Sequence, residues 1–120
     1  MNKNFFIGIL AAGKGARMKS DIPKVLHTLG DKAIIDYVLE TAYKLDPEKI
    51  FTVVGFKKEL VINHINNPKI EYVEQKEQLG TGHAVLQLSN KLYGKSGHLL
   101  ILYGDVPNIK HSTLLPMVDK

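Results

Sequence analysis

The sequence of 120 residues contains no cysteine, which excludes disulfide bonds and thiolate metal sites. No apolar run approaches the roughly 20 residues that a membrane-spanning helix needs. Residues 1–6 are not followed by a long apolar segment with a small-residue cleavage site, so we expect no secretory signal. These absences are consistent with the cytoplasmic location that we expect, but they do not require it.

Arginine is also scarce, because Arg17 is the only one in the chain. It lies within the stretch from Lys14 to Lys24, which holds four bases and one acid and so carries most of the net charge of +4. A compact basic stretch suits a polyphosphate ligand, whereas a nucleic-acid binder more often spreads basic residues over a face. We therefore expect no nucleic-acid partner. An exposed lysine loop would give the same charge pattern.

Four apolar, β-rich runs recur along the chain. They are nearly continuous rather than alternating, which is typical of strands that are covered on both faces. Stretches with helical spacing lie between them, and this alternation predicts an α/β fold: a Rossmann-like, mainly parallel sheet with helices on both faces. The predicted strands are Phe5–Leu10, Ile50–Val54, Ile70–Val73 and His98–Tyr103.

Three helices are predicted from apolar stripes between these strands. The first should end at Asp46, because the residue before Pro47 is pushed out of the helical region. The second is expected over Lys58–Ile65 and the third over Gly82–Leu92. Their expected apolar sides are Ile34, Ile35, Val38, Leu39 and Ala42, then Leu60, Val61, His64 and Ile65, then Ala84, Val85, Leu88 and Leu92.

The end of the chain predicts one more helix. Ser112 and Thr113 are good N-cap residues, and Leu114, Leu115 and Val118 would follow in a helix that is cut short at Lys120. The length allows one domain. We therefore expect a single truncated domain that is a piece of a longer protein.

A glycine-rich loop follows the first strand directly: Leu10-Ala11-Ala12-Gly13-Lys14-Gly15-Ala16-Arg17-Met18. Glycines there let the backbone turn sharply, and successive N–H groups can surround phosphate oxygens. Arg17 adds a guanidinium fork that can pair with phosphate through two hydrogen bonds. The P-loop and dinucleotide fingerprints both fail at Met18, where each requires glycine. A tight turn with exposed bases is the alternative.

Further along, the residues resemble a known family. The loop continues as Ile22-Pro23-Lys24-Val25-Leu26-His27, and two later stretches read Glu77-Gln78-Leu79-Gly80-Thr81-Gly82-His83-Ala84-Val85 and Tyr103-Gly104-Asp105-Val106-Pro107. These motifs, in this order, resemble the sugar-phosphate nucleotidyltransferases. Among them the chain is most similar to the bacterial bifunctional N-acetylglucosamine-1-phosphate uridyltransferase/glucosamine-1-phosphate acetyltransferases.

The resemblance implies transfer of UMP from UTP to N-acetylglucosamine 1-phosphate on a fold of the nucleotide-diphospho-sugar transferase type, for peptidoglycan and lipopolysaccharide precursors. Arg17 and Lys24 are the implied catalytic residues: Arg17 would stabilise the leaving pyrophosphate, and Lys24 would bridge the phosphates of both reactants. Asp105 would coordinate Mg²⁺. The implied nucleotide-sugar contacts are Leu10, Ala11, Ala12, Gly13, Lys24, Gln75, Gly80, Thr81, Tyr103, Gly104 and Asp105.

The order of strands supports one shared site independently of the resemblance. Gly13 follows the first predicted strand, Gln75 the third and Asp105 the fourth, and ligands of parallel sheets lie at the carboxyl ends of the strands. By resemblance, Gln75 with Gly80 and Thr81 would read the uracil edge. A helix cap at Thr81 and a turn at Asp105 are the structural alternatives. His83 is assigned to packing or loop hydrogen bonding.

The resemblance also implies what this chain lacks. A second metal ligand, most sugar contacts and a left-handed β-helix acetyltransferase domain, which would form a homotrimer, are expected beyond Lys120. Residues 1–120 would then be the N-terminal part of the uridyltransferase domain, with UTP and N-acetylglucosamine 1-phosphate as its small-molecule partners. A different sugar-phosphate or cofactor nucleotidyltransferase, or a non-catalytic nucleotide-binding domain, are the alternatives.

We expect the 120-residue chain alone to be inactive or nearly so, because the second metal ligand and most sugar contacts are implied to lie outside it. The measurement is pyrophosphate release from UTP and N-acetylglucosamine 1-phosphate with Mg²⁺ present. Robust turnover by the isolated chain would contradict this expectation.

Overall fold

The computed structural model describes residues 2–12, 23–55, 57–75, 81–92, 97–104 and 113–117. Its strands, in chain order, are β1 (Asn2–Leu10), β2 (Thr28–Leu29), β3 (Lys32–Ala33), β4 (Pro47–Val54), β5 (Ile70–Glu74), β6 (Gly97–Tyr103) and β7 (Thr113–Met117). Its helices are α1 (Ile34–Lys44), α2 (Lys58–Ile65) and α3 (Thr81–Lys91), and a short 3-10 turn spans Lys24–Leu26.

Five of the strands form one sheet in the order β5-β4-β1-β6-β7. β1 pairs in parallel with β4 on one side and β6 on the other, so Ile7 lies opposite both Ile50 and Leu100. β5 continues the parallel sheet next to β4. All four predicted strands are present, and the predicted mainly parallel α/β sheet is confirmed.

Helices cover both faces of this sheet, as predicted. On one face, Ile35 and Val38 of α1 and Val61 of α2 pack with Ile7 and Ile9 of β1. On the other face, α3 packs on the sheet through its apolar stripe. That second cluster contains Phe6, Phe51, Val53, Val73, Ala84, Leu88, Leu92, Leu99 and Ile101. The alternation of Phe6 and Ile7 between the faces is the two-residue period of a strand.

The sheet reverses its direction of growth at β1. The chain adds β4 and then β5 on one side of β1, with α1 and α2 as the connecting helices, and α3 then crosses the opposite face to bring β6 to the other side. In open parallel sheets, ligands bind outside the carboxyl ends of the strands at such a reversal. The crevice between the ends of β1 and β6 is therefore the expected ligand position.

Local signals at α1 agree with the prediction. The Asp36 side chain accepts a hydrogen bond from the Ala33 backbone N–H at 3.1 Å, which satisfies a donor at the start of the helix. The helix ends at Lys44, Asp46 has a left-handed φ of 50°, and Pro47 opens β4. The predicted helix end before Pro47 is confirmed.

The predicted apolar side of α2 is partly wrong. The bounds Lys58–Ile65 agree, but Leu60 is 41% exposed, and His64 is also exposed and contacts the Asp36 carboxylate. Ile62 instead joins Val61 and Ile65 against the core. Positions 61, 62 and 65 form a face at helical spacing, and the position of β4 beneath them selects this face over the one through Leu60.

The helix predicted at the end of the chain is wrong. Thr113–Met117 is strand β7, antiparallel to β6, with Leu115 opposite Leu99 and Leu114 opposite Leu100. The backbone groups on that side of β6 provide a long-range hydrogen-bonding partner, which outweighs a local cap signal. Pro116 has no N–H to donate and suits an edge strand. Ser112 and Val118 lie outside the described residues.

A small hairpin that the sequence did not reveal precedes α1. β2 and β3 pair across a turn of two residues in which Gly30 has a φ of 76°, a conformation that favours glycine. The hydroxyl of Tyr37 donates to the Leu29 carbonyl at 2.6 Å and attaches the hairpin to α1. No helix within the described ranges is long and apolar enough to span a bilayer.

We predict that Leu88→Ala lowers the free energy of unfolding by about 2–5 kcal/mol, because it leaves a cavity between α3 and the sheet. Leu88 is 0% exposed. Leu86→Ala is the matched control: it makes the same chemical change on the same helix, but Leu86 is 54% exposed, so a change within about 0.5 kcal/mol is expected. Urea titrations of both variants measure the difference, and equal losses would contradict this packing.

Candidate functional site

The carboxyl ends of the parallel strands are joined by backbone hydrogen bonds that continue past the ladders. The Ala11 N–H donates to the Val53 carbonyl at 2.8 Å, and the Gln75 N–H donates to the Val54 carbonyl at 2.7 Å. On the other side of β1, the Gly104 N–H donates to Leu10 at 2.9 Å. Residues that are far apart in sequence therefore meet at one edge of the sheet, which we call the carboxyl edge.

Close backbone packing at Gly104 joins the ends of β1 and β6, where the ligand is expected. A Cβ atom at this position would lie 2.8 Å from the Leu10 carbonyl oxygen and 3.0 Å from Val25 Cγ1. Pro23 and Val25 are buried. The 3-10 turn Lys24–Leu26 is therefore held against the ends of β1 and β6, which brings the backbone of Lys24 to the predicted ligand position.

A second close contact joins the ends of β1, β4 and β5. A Cβ atom at Gly55 would lie 2.8 Å from the carbonyl oxygen of Gln75 and 3.1 Å from Ala12 Cβ. Gly55 has an ordinary φ, so its small size rather than a left-handed conformation is what the contact requires. The segment Leu10–Ala12 thus lies between the two contacts, with Gly104 on one side and Gln75 on the other.

Gln75 itself is buried and connects the carboxyl edge to α3. Its side chain is only 4% exposed, and its Nε2 lies 3.0 Å from Nδ1 of His83, in the first turn of α3. The other ring nitrogen of His83 lies 3.3 Å from Nε2 of Gln87. Buried carboxamides need hydrogen-bond partners, so this contact explains how a polar group is retained there.

An ion pair lies beside Gln75. Glu74, the residue before it, forms an ion pair with Lys58 of α2 at 3.1 Å. The ion pair with Lys58 therefore neutralises the negative charge of Glu74 beside a site for which an anionic ligand is predicted.

On the other side of β1, the half-buried Tyr103 lies opposite Leu10 in the parallel ladder.

The structure brings together part of the predicted site. Leu10, Ala11, Ala12, Gln75, Tyr103 and Gly104 all lie at the carboxyl edge. For Lys24 and Thr81 the backbone alone is described. The predicted contacts Gly13 and Gly80, the catalytic Arg17 and the metal ligand Asp105 lie outside the described residues.

Two further details concern α3. It begins at Thr81 rather than after it, so Thr81 occupies the first helical position and not a cap before the helix. His83 contacts the predicted site residue Gln75, which the sequence did not indicate, because this contact joins α3 to the residue after β5. The spacing of four between His83 and Gln87 is a signal only for the contact between those two side chains on one helix.

The predicted metal site rests on Asp105. Within the part of the chain that the structure describes, no group of three or more His, Asp or Glu residues could hold a metal ion. Asp105 directly follows Gly104, whose close contacts with Leu10 and Val25 hold the end of β6 at the crevice. Asp105 itself lies outside the described residues, so its role as a Mg²⁺ ligand stays a prediction.

Comparison with known proteins identifies the class to which this fold and this carboxyl edge belong. Residues 7–120 match the MobA-like NTP transferase domain family. The chain therefore belongs to that family.

Within this family, the similar curated proteins are bifunctional GlmU proteins. The bifunctional protein GlmU of a Cyanothece species is 48% identical over 114 residues, which are 94% of this chain and 25% of that protein. The chain thus spans about a quarter of the length of the curated relatives that it matches.

Solved structures agree in fold. A UDP-glucose pyrophosphorylase complexed with UDP-glucose superposes with a TM-score of 0.70 at 25% identity, over 83% of this chain and 45% of that one. A Mycobacterium tuberculosis protein solved in complex with manganese superposes with a TM-score of 0.71 over 88% of this chain and 52% of that one. At 16% identity, the second likeness concerns the fold alone.

We predict that Gly55→Ala weakens binding of UTP, the ligand that the family resemblance implies, by about tenfold or more, because the new methyl group meets backbone atoms and forces Gln75 and Ala12 apart. Isothermal titration calorimetry on the 120-residue chain measures the affinity. Gly30→Ala is the control, since its φ of 76° also makes alanine strained, but its nearest neighbour is the Tyr37 hydroxyl. Unchanged UTP affinity in Gly55→Ala would contradict the proposed packing of the carboxyl edge.

Proposed function

We propose that this chain is the nucleotide-binding part of a uridyltransferase that transfers UMP from UTP to N-acetylglucosamine 1-phosphate. The observation that carries the proposal is the buried Gln75 side chain at the carboxyl edge of a Rossmann-like sheet, where the Gln75 backbone carbonyl packs closely against Gly55. The GlmU relatives at 44–48% identity support the uridyl and N-acetylglucosamine assignments.

In the proposed reaction, an oxygen of the sugar phosphate attacks the α-phosphorus of UTP. The bond between the α-phosphorus and the bridging oxygen to the β-phosphorus breaks, and pyrophosphate leaves. No side-chain nucleophile is needed, because transfer of this kind depends mainly on alignment and on neutralisation of phosphate charge. Both reactants are anionic, so the protein must supply positive charge where they meet.

Arg17 and Lys24 supply that charge in the proposal. Arg17 holds the triphosphate and stabilises the charge that grows on the leaving pyrophosphate. Lys24 bridges the phosphates of the two reactants. The burial of Pro23 and Val25 on either side of Lys24 supports its role, because the backbone at this point is held next to the crevice between β1 and β6.

A divalent cation, Mg²⁺, completes the proposed site through Asp105. When bound, it would neutralise phosphate charge and orient the two reactants. The position of Asp105 directly after Gly104 at the end of β6 supports this assignment.

The wider setting follows from the same relatives. Residues 1–120 would be the first part of the uridyltransferase domain, and the whole protein would be a homotrimeric enzyme of the cytoplasm that makes precursors for peptidoglycan and lipopolysaccharide. The chain spans about a quarter of the GlmU relatives, so the remaining part would supply the rest of the sugar site and a separate acetyltransferase domain.

The proposal is tested in a chimera in which this chain replaces the matching residues of the Cyanothece relative. We expect the chimera to release pyrophosphate from UTP and N-acetylglucosamine 1-phosphate. Arg17→Ala should lower kcat by about a hundredfold to a thousandfold, the cost of losing one preorganised group that stabilises transition-state charge. Its affinity for UTP should change far less.

Lys19→Ala is the matched control, because it removes one positive charge from the same basic stretch without touching a proposed catalytic residue. We expect its kcat to stay close to that of the chimera. Equal losses in both variants would show that only the general charge of the loop matters. An inactive chimera, or one that uses CTP or GTP as well as UTP, would contradict the proposed uridyltransferase.

A further inference from the structure

The turn that carries Lys24 is attached at both of its ends. It is a single 3-10 turn over Lys24–Leu26, closed by a hydrogen bond of 3.0 Å from the Leu26 N–H to the Pro23 carbonyl. Pro23 is fully buried, and after the turn the His27 carbonyl accepts from the Ile34 N–H at 2.9 Å, at the start of α1. The backbone of Lys24 is therefore confined between the core and α1.

Val25 is the buried residue of this turn. Its side chain is 3% exposed and belongs to the core cluster that also contains Ala11 and Leu102. A Cβ atom at Gly104 would lie 3.0 Å from Val25 Cγ1 and 2.8 Å from the Leu10 carbonyl oxygen, which leaves no room for a side chain there. The isopropyl group of Val25 thus occupies the space that a side chain at position 104 would need.

This contact joins the sequence neighbours of two proposed functional groups. Val25 follows Lys24 directly, and Gly104 directly precedes Asp105. The Gly104 N–H donates to the Leu10 carbonyl at 2.9 Å, so the end of β6 is fixed on β1. The distance between the Lys24 backbone and the end of β6 therefore depends on the size and shape of the side chain at position 25.

Alignment of Lys24 matters for the proposed chemistry. A lysine that bridges two phosphates acts as a point charge, and a displacement of about 1 Å can lower a rate about a hundredfold. A smaller side chain at position 25 leaves a gap beside Gly104 into which the turn can move, and a larger one pushes the turn away. Either change moves the backbone from which Lys24 extends.

We propose that Val25 is a positioning residue, whose contact with Gly104 sets the distance of Lys24 from the end of β6 and so aligns Lys24 with the phosphates. The inference rests on the proposed function for the role of Lys24. A residue that serves the core alone contributes stability through the apolar group that it buries. A positioning residue also requires the right shape, so substitutions can separate the two roles.

The attachment of the turn can be followed without any substrate. In Val25→Ala of the 120-residue chain, ¹⁵N relaxation should show the order parameter of the Lys24 amide falling from about 0.85, typical of rigid backbone, to about 0.6 or below. Val61→Ala is the matched control, because Val61 is 0% exposed in the same core cluster but lies on α2. It should leave the Lys24 value unchanged. An unchanged value in Val25→Ala overturns the inference.

Turnover by the chimera described above tests the catalytic consequence. Val25→Ala should lower kcat about tenfold to a hundredfold while the KM for UTP changes less than about threefold, because the turn moves and the strand ends proposed to hold the nucleotide do not. Val61→Ala removes the same two methyl groups from the same cluster and should keep kcat close to that of the unaltered chimera. Equal losses of kcat in both variants overturn the inference.

Val25→Thr separates shape from stability. Threonine has nearly the same shape as valine, but its buried hydroxyl should lower the urea midpoint of unfolding. We expect this variant to be less stable and yet to keep kcat within about threefold. A kcat that falls as far as in Val25→Ala overturns the inference, because turnover then follows stability and not shape.

If Val25→Ala does not fold, Val25→Ile adds one methylene to the same contact, and it should displace the turn and lower kcat by a similar factor. An active chimera whose kcat is unchanged in these variants overturns the inference alone. An inactive unaltered chimera contradicts the proposed function instead, and the Lys24 order parameter then decides separately whether Val25 fixes the turn.

Discussion

The pairing of β1 on both sides and its burial on both faces are the constraint on which the rest of the structure depends. Ile7 is opposite Ile50 and Leu100 in the ladders, while α1 and α2 cover one face and α3 the other. Such a strand has no room for reactive polar groups along its length, because unpaired polar groups are costly in the interior. Chemistry is therefore confined to the carboxyl edge, where the strands end.

Among the residues that the structure describes, the buried polar side chains are those of Thr52 and Gln75. Thr52 lies within β4, whereas Gln75 lies at the carboxyl edge with His83 against it. Thr52 is thus a polar residue of the sheet interior, whereas the side chain of Gln75 lies where a ligand is expected. It is the reason that the proposed function depends more on Gln75 than on any other described side chain.

Much of the fold could be predicted because its main signals are local and hydrophobic. The continuous run Ile50–Val54 and the helical stripe that contains Leu88 each specify their element from neighbouring residues. The predictions that were wrong concern elements whose structure depends on contacts that are distant in the sequence. Thr113–Met117 carries a helix-cap signal but pairs with β6, and Leu60 fits an apolar stripe although Ile62, not Leu60, packs against the core. Spacing within a segment cannot report which partner it meets in the fold.

The residues of the candidate site likewise differ in whether the sequence could predict them. Gln75 and Gly104 could be anticipated from their places after strands and from the family motifs, while the contribution of Gly55 depends on the approach of Ala12 and Gln75 from other segments. His83 shows its contact only once α3 lies beside β5. Sequence motifs identify the residues of a site, but the hydrogen-bond partners of those residues come from segments that are distant in the sequence.

The contact between Gly8 and Leu88 links this site to the middle of the sheet. A Cβ atom at Gly8 would lie 2.5 Å from Leu88 Cδ1, so α3 is seated in a notch in β1. His83 precedes Leu88 by five residues on the same helix, about 7.5 Å along its axis at 1.5 Å per residue. A bulkier residue in the notch would lift the helix and carry the imidazole with it. The sizes of residues 8 and 88 are thus coupled, and a substitution at this pair would shift the contact between His83 and Gln75 without changing any residue at the carboxyl edge.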